Sequence, residues 1–459
     1  MVESERMTPL ERRAAFSLAA LFLIRMLGLF MILPVFTLYA QELPDSTPTL
    51  IGLAVGIYGL TQAVFQMPFG LASDHFGRKK VLYAGLCIFA FGSAVAALSD
   101  TMMGIIIGRA LQGAGAIAAT VMALAADLTR EEHRTKAMAV IGASIGLSFS
   151  LSLVFGPLLN PWIGVPGLFW LTGIFALAGM VVVRFVVPDP VDSRFHRDTE
   201  PVPAQFKMVL ADGQLARLDF GIFALHLILT ANFVVIPLAL RDYAGLPAEQ
   251  HWWVYLIVML IALGAMVPFV IRAEKHRRMK QVLLGAIAVI GAAELAMAMV
   301  SASLWLLVGV LLVFFVAFNV LEATLPSLIA KTAPPDKKGT AMGIYSSSQF
   351  FGAFCGGFFG GTIYHYFQLP AVFFFCAFVA LAWLVVASSM RNPRYLSSFM
   401  LRIDDGLTDD DGKKLAVQLT AVRGVAEAVV VPRDGVAYLK VDQHALDRDG
   451  LLRFSAAEG

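Results

Sequence analysis

The sequence predicts an all-α membrane protein with twelve transmembrane helices in two pseudo-symmetric six-helix bundles, followed by a small α+β domain. Three observations predict this fold. Of the 459 residues, 58% are hydrophobic and 15% are charged, whereas soluble domains are roughly 45–50% apolar and about 25% charged. Apolar runs long enough to cross a bilayer recur along the chain. Basic residues collect in every second loop between those runs.

Each apolar run has the length of a bilayer crossing, which takes ~20 mostly apolar residues. The first run is longer than the ~7–15-residue core of a signal peptide, so we expect it to remain as the first helix. The twelve runs cover about residues 16–39, 50–72, 79–98, 102–126, 135–159, 167–187, 217–240, 251–272, 280–300, 304–329, 339–363 and 369–390.

The charges of the loops predict how the chain is oriented. Loops that stay in the cytoplasm are enriched in Lys and Arg. Alternate loops hold clusters such as 78–80 and 277–280, whereas Arg241 is essentially the only cation of the other loops. We therefore expect an integral protein of the cytoplasmic (inner) membrane with both termini in the cytoplasm.

An internal repeat indicates two homologous halves. Pro68-Phe69 reappears as Pro268-Phe269 and Arg78 as Arg278, each after 200 residues. Many transporters are built from such repeats, with the substrate site at the repeat interface. The expected domains are a first bundle at residues 12–187, a cytoplasmic linker at 188–216, a second bundle at 217–390 and a soluble domain at 398–455.

After residue 390, charged composition and short alternating segments predict a cytoplasmic α+β domain. The order βαββα is that of a small ferredoxin-like domain. It resembles metal-chaperone domains in outline but lacks their CxxC, and the three cysteines of the chain are widely spaced in apolar runs, so we expect no metal and no cofactor. The predicted elements are Phe399–Ile403, Asp409–Leu419, Val425–Val431, Val436–Val441 and Leu446–Phe454.

The turn between the second and third runs carries the most specific motif. It reads G-x-x-x-D-x-x-G-R-K-K and resembles the loop signature that follows the second helix in the major facilitator superfamily. The resemblance covers residues 12–390, is greatest to the twelve-helix drug:proton antiporters with a soluble C-terminal domain, and implies their fold. It also implies a latch that holds the halves in the outward-open state and breaks in the inward-open state, formed by Gly70, Asp74, Gly77, Arg78, Lys79 and Asp127. The alternative is that these charges only fix the topology.

Three ionisable residues within the runs are candidates for proton coupling. Arg109, in the segment R-x-x-Q-G, resembles a second signature of the superfamily that is found mainly in proton-coupled members. This implies that Arg109 tunes the protonation of an acidic residue; the alternative is that backbone carbonyls satisfy it. Glu322 is our candidate for the proton carrier, because intramembrane carboxylates mark proton pathways. His226 is expected to relay the proton or to bind it, with a neutral packing role as the alternative. We expect Glu294 to be structural.

Four polar residues are candidates for a substrate cavity: Arg25, Gln62, Asn232 and Asn319. Arg25 could instead extend along the first helix toward the cytoplasm, as long cationic side chains do near membrane surfaces. The fifth run matches only part of the glycine pattern of the antiporters, since Ser152 stands where that pattern has a glycine. The direction of transport therefore stays open.

Together these features predict a proton-coupled secondary active transporter that exports small molecules by alternating access. No phosphate-binding loop is found in the sequence, so the proton gradient is the expected energy source. The alternatives are a passive uniporter, or a sensor that reports pH or osmotic state through the C-terminal domain. An enzyme is not expected, and the net charge of +2 gives no indication of nucleic-acid binding. The expected partners are the substrate, protons and membrane lipid, and the expected form is a monomer.

Overall fold

The structure is a computed structural model, and it describes residues 7–189, 202–300, 303–392, 396–403, 408–432, 435–442, 445–447, 450–451 and 453–454. The helices are α1 Pro9–Met31, α2 Leu33–Ala40, α3 Pro48–Phe76, α4 Arg78–Ala97, α5 Met102–Ala114, α6 Ala118–Asp127, α7 Glu131–Phe185, α8 Phe206–Leu210, α9 Gly213–Leu238, α10 His251–Glu274, α11 Met279–Val300, α12 Leu304–Thr332, α13 Lys338–Ser388 and α14 Asp409–Ala421. The strands are β1 Ser397–Arg402, β2 Val425–Val431 and β3 Val436–Val441.

Helix α7 is too long for one crossing and folds back on itself. Its backbone leaves the helical region at Gly164, where φ is 64° and ψ is 176°. On either side of this break, Ser152 donates a hydrogen bond to the Leu27 carbonyl (2.9 Å) and Thr172 donates one to the Gly28 carbonyl (3.0 Å). A continuous helix would hold residues 152 and 172 about 30 Å apart, so the chain reverses at Gly164 and α7 supplies two antiparallel crossings.

Helix α13 reverses in the same way at Gln368, where φ is 67° and ψ is 175°. Gly352 packs against the backbone of Phe223, and Trp383 packs against Gly221. Among the described residues, ten helical segments are long and apolar enough to cross a membrane, and the two reversals raise the number of crossings to twelve. The predicted fold class is confirmed.

Two other helices are interrupted near the centre of the first half. Between α1 and α2 the interruption lies next to Pro34, which cannot supply a helical N–H. Between α5 and α6 the helix stops at residues 115–117, so the fourth predicted run is two helices rather than one. The Gly115 carbonyl is thereby released from helical hydrogen bonding and becomes available to a side chain.

The two halves, α1–α7 and α9–α13, meet most closely where α3 crosses α13. Gly52 of α3 lies against Gly357 of α13, with the two backbones in direct contact. Nearby, Arg241 donates to the Gln41 side chain (2.8 Å), which also joins the halves. We call this side of the molecule the Gln41 end and the opposite side, which carries the basic loops, the basic end. The structure is closed at the Gln41 end.

The C-terminal segment forms an antiparallel sheet in the order β1-β3-β2, with α14 packed on β2. Both hairpin strands have the predicted bounds, because Gly435 turns the chain at a positive φ of 64°. Of the last predicted helix, Leu446–Phe454, residues 448, 449 and 452 lie outside the described residues, and the described residues 450–451 are helical. Arg277 of the transmembrane region lies 3.5 Å from Asp442, and Lys440 donates to the Lys331 carbonyl, so this domain lies at the basic end.

Candidate transport site and gate

The predicted latch residues come together between α3, α4 and α6. Gly77 adopts φ 93°, which an L-residue rarely does, and this turn brings Arg78 back against α3. Arg78 Nε lies 3.0 Å from Asp127 Oδ2 and Nη1 lies 2.8 Å from Ser73 Oγ, with Asp74 as a third partner. The side chains of Arg78 and Asp127 are 2% and 0% exposed, so this ion pair is buried.

The other two predicted latch residues have separate roles in the packing. Gly70 lies against Ala119 and lets α3 approach α6. Lys79 turns away from Asp127 and contacts the end of α7, with Nζ 2.7 Å from Asp189 Oδ1 and 2.8 Å from the Val187 carbonyl. The hydrogen bond from Lys79 lowers the pKa of the exposed Asp189 carboxyl.

All latch residues belong to the first half of the molecule. Their ion pairs are intact while the halves are closed at the Gln41 end. If the basic end is cytoplasmic, the structure is not open to the outside, and closing the outer end does not break the cluster by itself. Any effect on the other half must pass through the helix ends that the cluster holds together.

Arg25 and Gln62 share a buried polar cluster in the first half. Arg25 is 1% exposed, so it does not extend to the membrane surface. Its Nη2 donates to the Gly115 carbonyl (2.9 Å), to Tyr58 Oη (3.2 Å) and to Gln62 Oε1 (3.2 Å). Its Nε and Nη1 atoms are buried without a hydrogen-bond partner. The interruption between α5 and α6 is therefore what supplies Arg25 with its strongest acceptor.

Arg109 bonds to backbone carbonyls of α3. Its Nε and Nη2 atoms each lie 3.3 Å from a carbonyl, of Ala54 and Val55 respectively, and Nη1 lies 3.1 Å from Gln112 Oε1. The guanidinium also lies over the Tyr58 ring, 5.3 Å from its centre. Among the described residues no carboxylate lies within ion-pair distance of Arg109. This geometry agrees with the alternative in which backbone carbonyls bind the Arg109 guanidinium. Arg109 has no direct contact with Glu322.

In the second half, Glu322 and His226 face each other. Glu322 Oε1 lies 3.2 Å from His226 Nε2, and Gln349 Nε2 lies 2.8 Å from the same ring nitrogen. His226 Nδ1 lies 3.3 Å from the Ile222 carbonyl, which favours a proton on Nδ1. Nε2 then accepts from Gln349, and its contact with Glu322 is favourable only when the carboxyl or the imidazole binds an additional proton.

The two asparagines predicted for a cavity lie in different places. Asn319 is one helical turn from Glu322, and its Nδ2 is buried without a partner. Asn232 donates to Glu294 Oε1 (2.7 Å), and both side chains are at most 1% exposed. Asn232 therefore joins α9 to α11 instead of accompanying Asn319, and Glu294 lies in this packing contact.

Sequence reasoning missed three residues near Glu322. Asp219 lies seven residues before His226, a spacing that places both on one helical face, but it stands close to the start of the seventh apolar run and no motif marks it. Tyr345 and Gln349 are one turn apart on α13 and had no motif to mark them. Their contribution appears only when α9, α12 and α13 are packed together.

Comparison with known proteins adds to this geometry. Residues 18–217 and 218–399 each match the sequence profile described as Major Facilitator Superfamily. The chain is 48% identical over 443 residues to the inner membrane transport protein YajR of Escherichia coli strain K12, covering 96% of this chain and 97% of that protein. It is 25% identical over 350 residues to the multidrug resistance protein MdtH of Proteus mirabilis, covering 74% and 84%. A solved structure of a bacterial homolog of the human lysosomal transporter Spinster, inward-facing and occupied, has a TM-score of 0.70 at 12% identity over 84% of this chain and 98% of that one, which shows the shared fold.

Proposed function

The chain belongs to the Major Facilitator Superfamily of membrane transporters, and we propose that it is a proton-coupled antiporter that exports a small molecule across the inner membrane. Proton coupling rests on one observation, the contact between Glu322 and His226. The similarity to YajR, an inner membrane transport protein, supports a location in the inner membrane. The similarity to MdtH, a multidrug resistance protein, supports a drug-like substrate. Both relatives are transporters, in agreement with the expectation that this chain is not an enzyme.

The Glu322–His226 contact provides a reason why protonation is coupled to the rearrangement of the helices. A charged carboxylate inside the membrane is costly, so the helices around Glu322 rearrange more easily when it is neutral. The side chain is 31% exposed, which leaves it within reach of water and of a substrate. We propose that the proton and the substrate use this site in alternate steps, so that each leaves before the other is bound.

Alternating access requires that the closed Gln41 end can open. The closing contact between α3 and α13 is built from glycines, and small residues let helices dock closely through packing alone. A contact of this kind can separate without leaving charges unpaired. We propose that the halves pivot there, that the basic end with both termini is cytoplasmic, and that the Arg78–Asp127 pair keeps the first half rigid during the movement.

Reconstitution into liposomes tests this function. The substrate is first sought by screening an overexpressing strain for tolerance to toxic compounds. An imposed pH gradient should then drive accumulation of that compound inside liposomes that contain the parent protein. Glu322→Gln should abolish gradient-driven accumulation while retaining exchange without a gradient. Glu294→Gln changes another intramembrane carboxyl, which lies outside the proposed pathway and is fully buried. It is the control, and liposomes that contain it should accumulate the compound normally.

The same assay separates the alternatives. A substrate flux that is unaffected by the pH gradient and by a protonophore would identify a passive uniporter. A sensor would show no flux at all in the intact protein. Deletion of residues 398–459 should leave flux intact if the C-terminal domain is a regulatory appendage of a transporter.

A further inference from the structure

We propose that Asp219 is a second proton-binding site, which exchanges protons between the basic end and Glu322 by way of Tyr345. The inference rests on the proposed proton coupling at Glu322. It assigns a function to a buried carboxyl and a buried hydroxyl that the Glu322–His226 contact does not use.

The positions of these residues form a path along the helices. Helices α9 and α13 both begin at the basic end. Asp219 precedes His226 by seven residues and Tyr345 precedes Gln349 by four, so they lie about 10 Å and about 6 Å closer to the basic end, at 1.5 Å of rise per residue. Gln349 and His226 are in contact at 2.8 Å, which fixes the two helices in register at the depth of Glu322.

Asp219 is buried without an ionic partner. It is 8% exposed, and its Oδ1 atom has no hydrogen-bond partner. Arg217, two residues earlier, is directed elsewhere and donates to Ser389 Oγ and to the Gly213 carbonyl. No ion pair of Asp219 is found among the described residues, and the ionisable groups that continue the path toward Glu322 are Tyr345 of α13 and His226 of α9. A carboxyl held inside a membrane helix without a cation is typical of a proton pathway.

Tyr345 connects the two carboxyls. It is 3% exposed, and its hydroxyl has no hydrogen-bond partner. Tyr345 lies one helical turn from Gln349, which contacts His226 next to Glu322. A phenol can accept one proton and donate another at the same oxygen, which suits it to pass a proton between them.

The transfer conserves protons and charge. Protonated Asp219 gives its proton to the Tyr345 oxygen, with intervening water where needed, while the Tyr345 hydroxyl gives its own proton toward the Glu322 carboxylate. Tyr345 ends neutral, Glu322 ends protonated, and the O–H bond of Asp219 is the one that breaks. Water at the basic end then restores the proton on Asp219.

Difference infrared spectroscopy of the full-length protein in liposomes tests the inference without a substrate. The carbonyl band of protonated Glu322 is identified by its loss in Glu322→Gln, and that of Asp219 by its loss in Asp219→Asn. On transfer to D2O the Glu322 band shifts, and the rate of the shift measures proton exchange at that carboxyl. In Asp219→Asn and in Tyr345→Phe we expect this rate to fall by roughly tenfold or more, since a positioned proton-transfer group contributes at least this much.

Two matched variants serve as controls. Tyr255→Phe removes another buried hydroxyl that has no hydrogen-bond partner, on α10, and Glu294→Gln changes another buried carboxyl. Both should keep the parent exchange rate. An unchanged rate in Tyr345→Phe and in Asp219→Asn would overturn this inference alone. Absence of any titrating band that depends on Glu322 would overturn the proposed proton coupling and this inference with it.

Discussion

The closing contact between the halves can be weakened by a single methyl group. A Cβ added to Gly52 would lie 2.1 Å from the Gly357 carbonyl oxygen, where ordinary van der Waals contact begins at 3.4 Å. The backbones of α3 and α13 must therefore separate by about 1.3 Å at this point. Overpacking of this kind costs ~1–3 kcal/mol, and this cost falls only on the conformation closed at the Gln41 end.

The Gly52→Ala variant should therefore shift the conformational equilibrium toward opening at that end. At ~1.4 kcal/mol per factor of ten, the ratio of closed to open molecules should fall roughly 5- to 150-fold. Thr37, which is 1% exposed and donates across the halves to the Phe233 carbonyl, reports the opening when replaced by cysteine. The rate at which a membrane-impermeant maleimide labels Thr37→Cys should rise when Gly52→Ala is added.

A matched substitution separates opening from general loosening. Gly264 lies in α10 with open space around it, so Gly264→Ala should leave the labelling rate of Thr37→Cys unchanged. Peptide mass spectrometry distinguishes this cysteine from the three native ones. Equal labelling with and without Gly52→Ala would refute the reasoning that the glycine contact closes this end.

Three further predictions concern the basic end. Arg78→Ala removes a cation that contacts the buried Asp127 carboxylate. Loss of one partner of a buried ion pair costs ~3–5 kcal/mol, so the Tm in detergent should fall, whereas Lys80→Ala on the exposed surface should leave the Tm unchanged. Equal Tm values would contradict a structural ion pair. Gly77→Ala forces an L-residue to φ 93° at a cost of ~1–3 kcal/mol. The Tm of Gly77→Ala should therefore be lower than that of the control variant Gly264→Ala. Burial lowers the pKa of Lys440 to about 8, whereas the pKa of an unperturbed lysine is ~10.4. Between these two pH values the unfolded chain binds more protons than the folded one, so the stability of the C-terminal domain should rise with pH. The protection factors of the β3 amides, which are exchange rates corrected for the intrinsic rate at each pH, should rise over this range in the parent and not in Lys440→Met.

Much of the architecture was predictable because it depends on the average hydropathy of consecutive residues. Hydropathy over a window of residues determines whether a segment crosses the membrane, and this predicted the crossings even where the structure joins two of them into α7 or α13. The same reasoning missed the interruption between α5 and α6, since residues 115–117 are no less apolar than their neighbours. The C-terminal hairpin was predicted residue by residue because its turn chemistry is local.

The candidate site was predictable only in part. Arg78 and Asp127 could be paired because Arg78 stands in a specific motif and Asp127 directly follows the fourth run on the same side of the membrane, and the structure shows the pair. Asn232 was expected beside the cavity but bonds to Glu294. Asp219 and Tyr345 were missed, because neither stands in a motif and each is unremarkable within its own helix.

The sequence alone determined the number of crossings, the two-half organisation and the identity of the ion pair at the first basic turn. Each of these follows from local composition, spacing or a short motif. The tertiary structure decided which side chains come together: that Arg25 reaches the freed Gly115 carbonyl, and that Glu322 and Gln349 both contact His226. These contacts depend on how each helix is rotated about its own axis and on its depth against its neighbours, and both are fixed by packing between segments that are far apart in the chain.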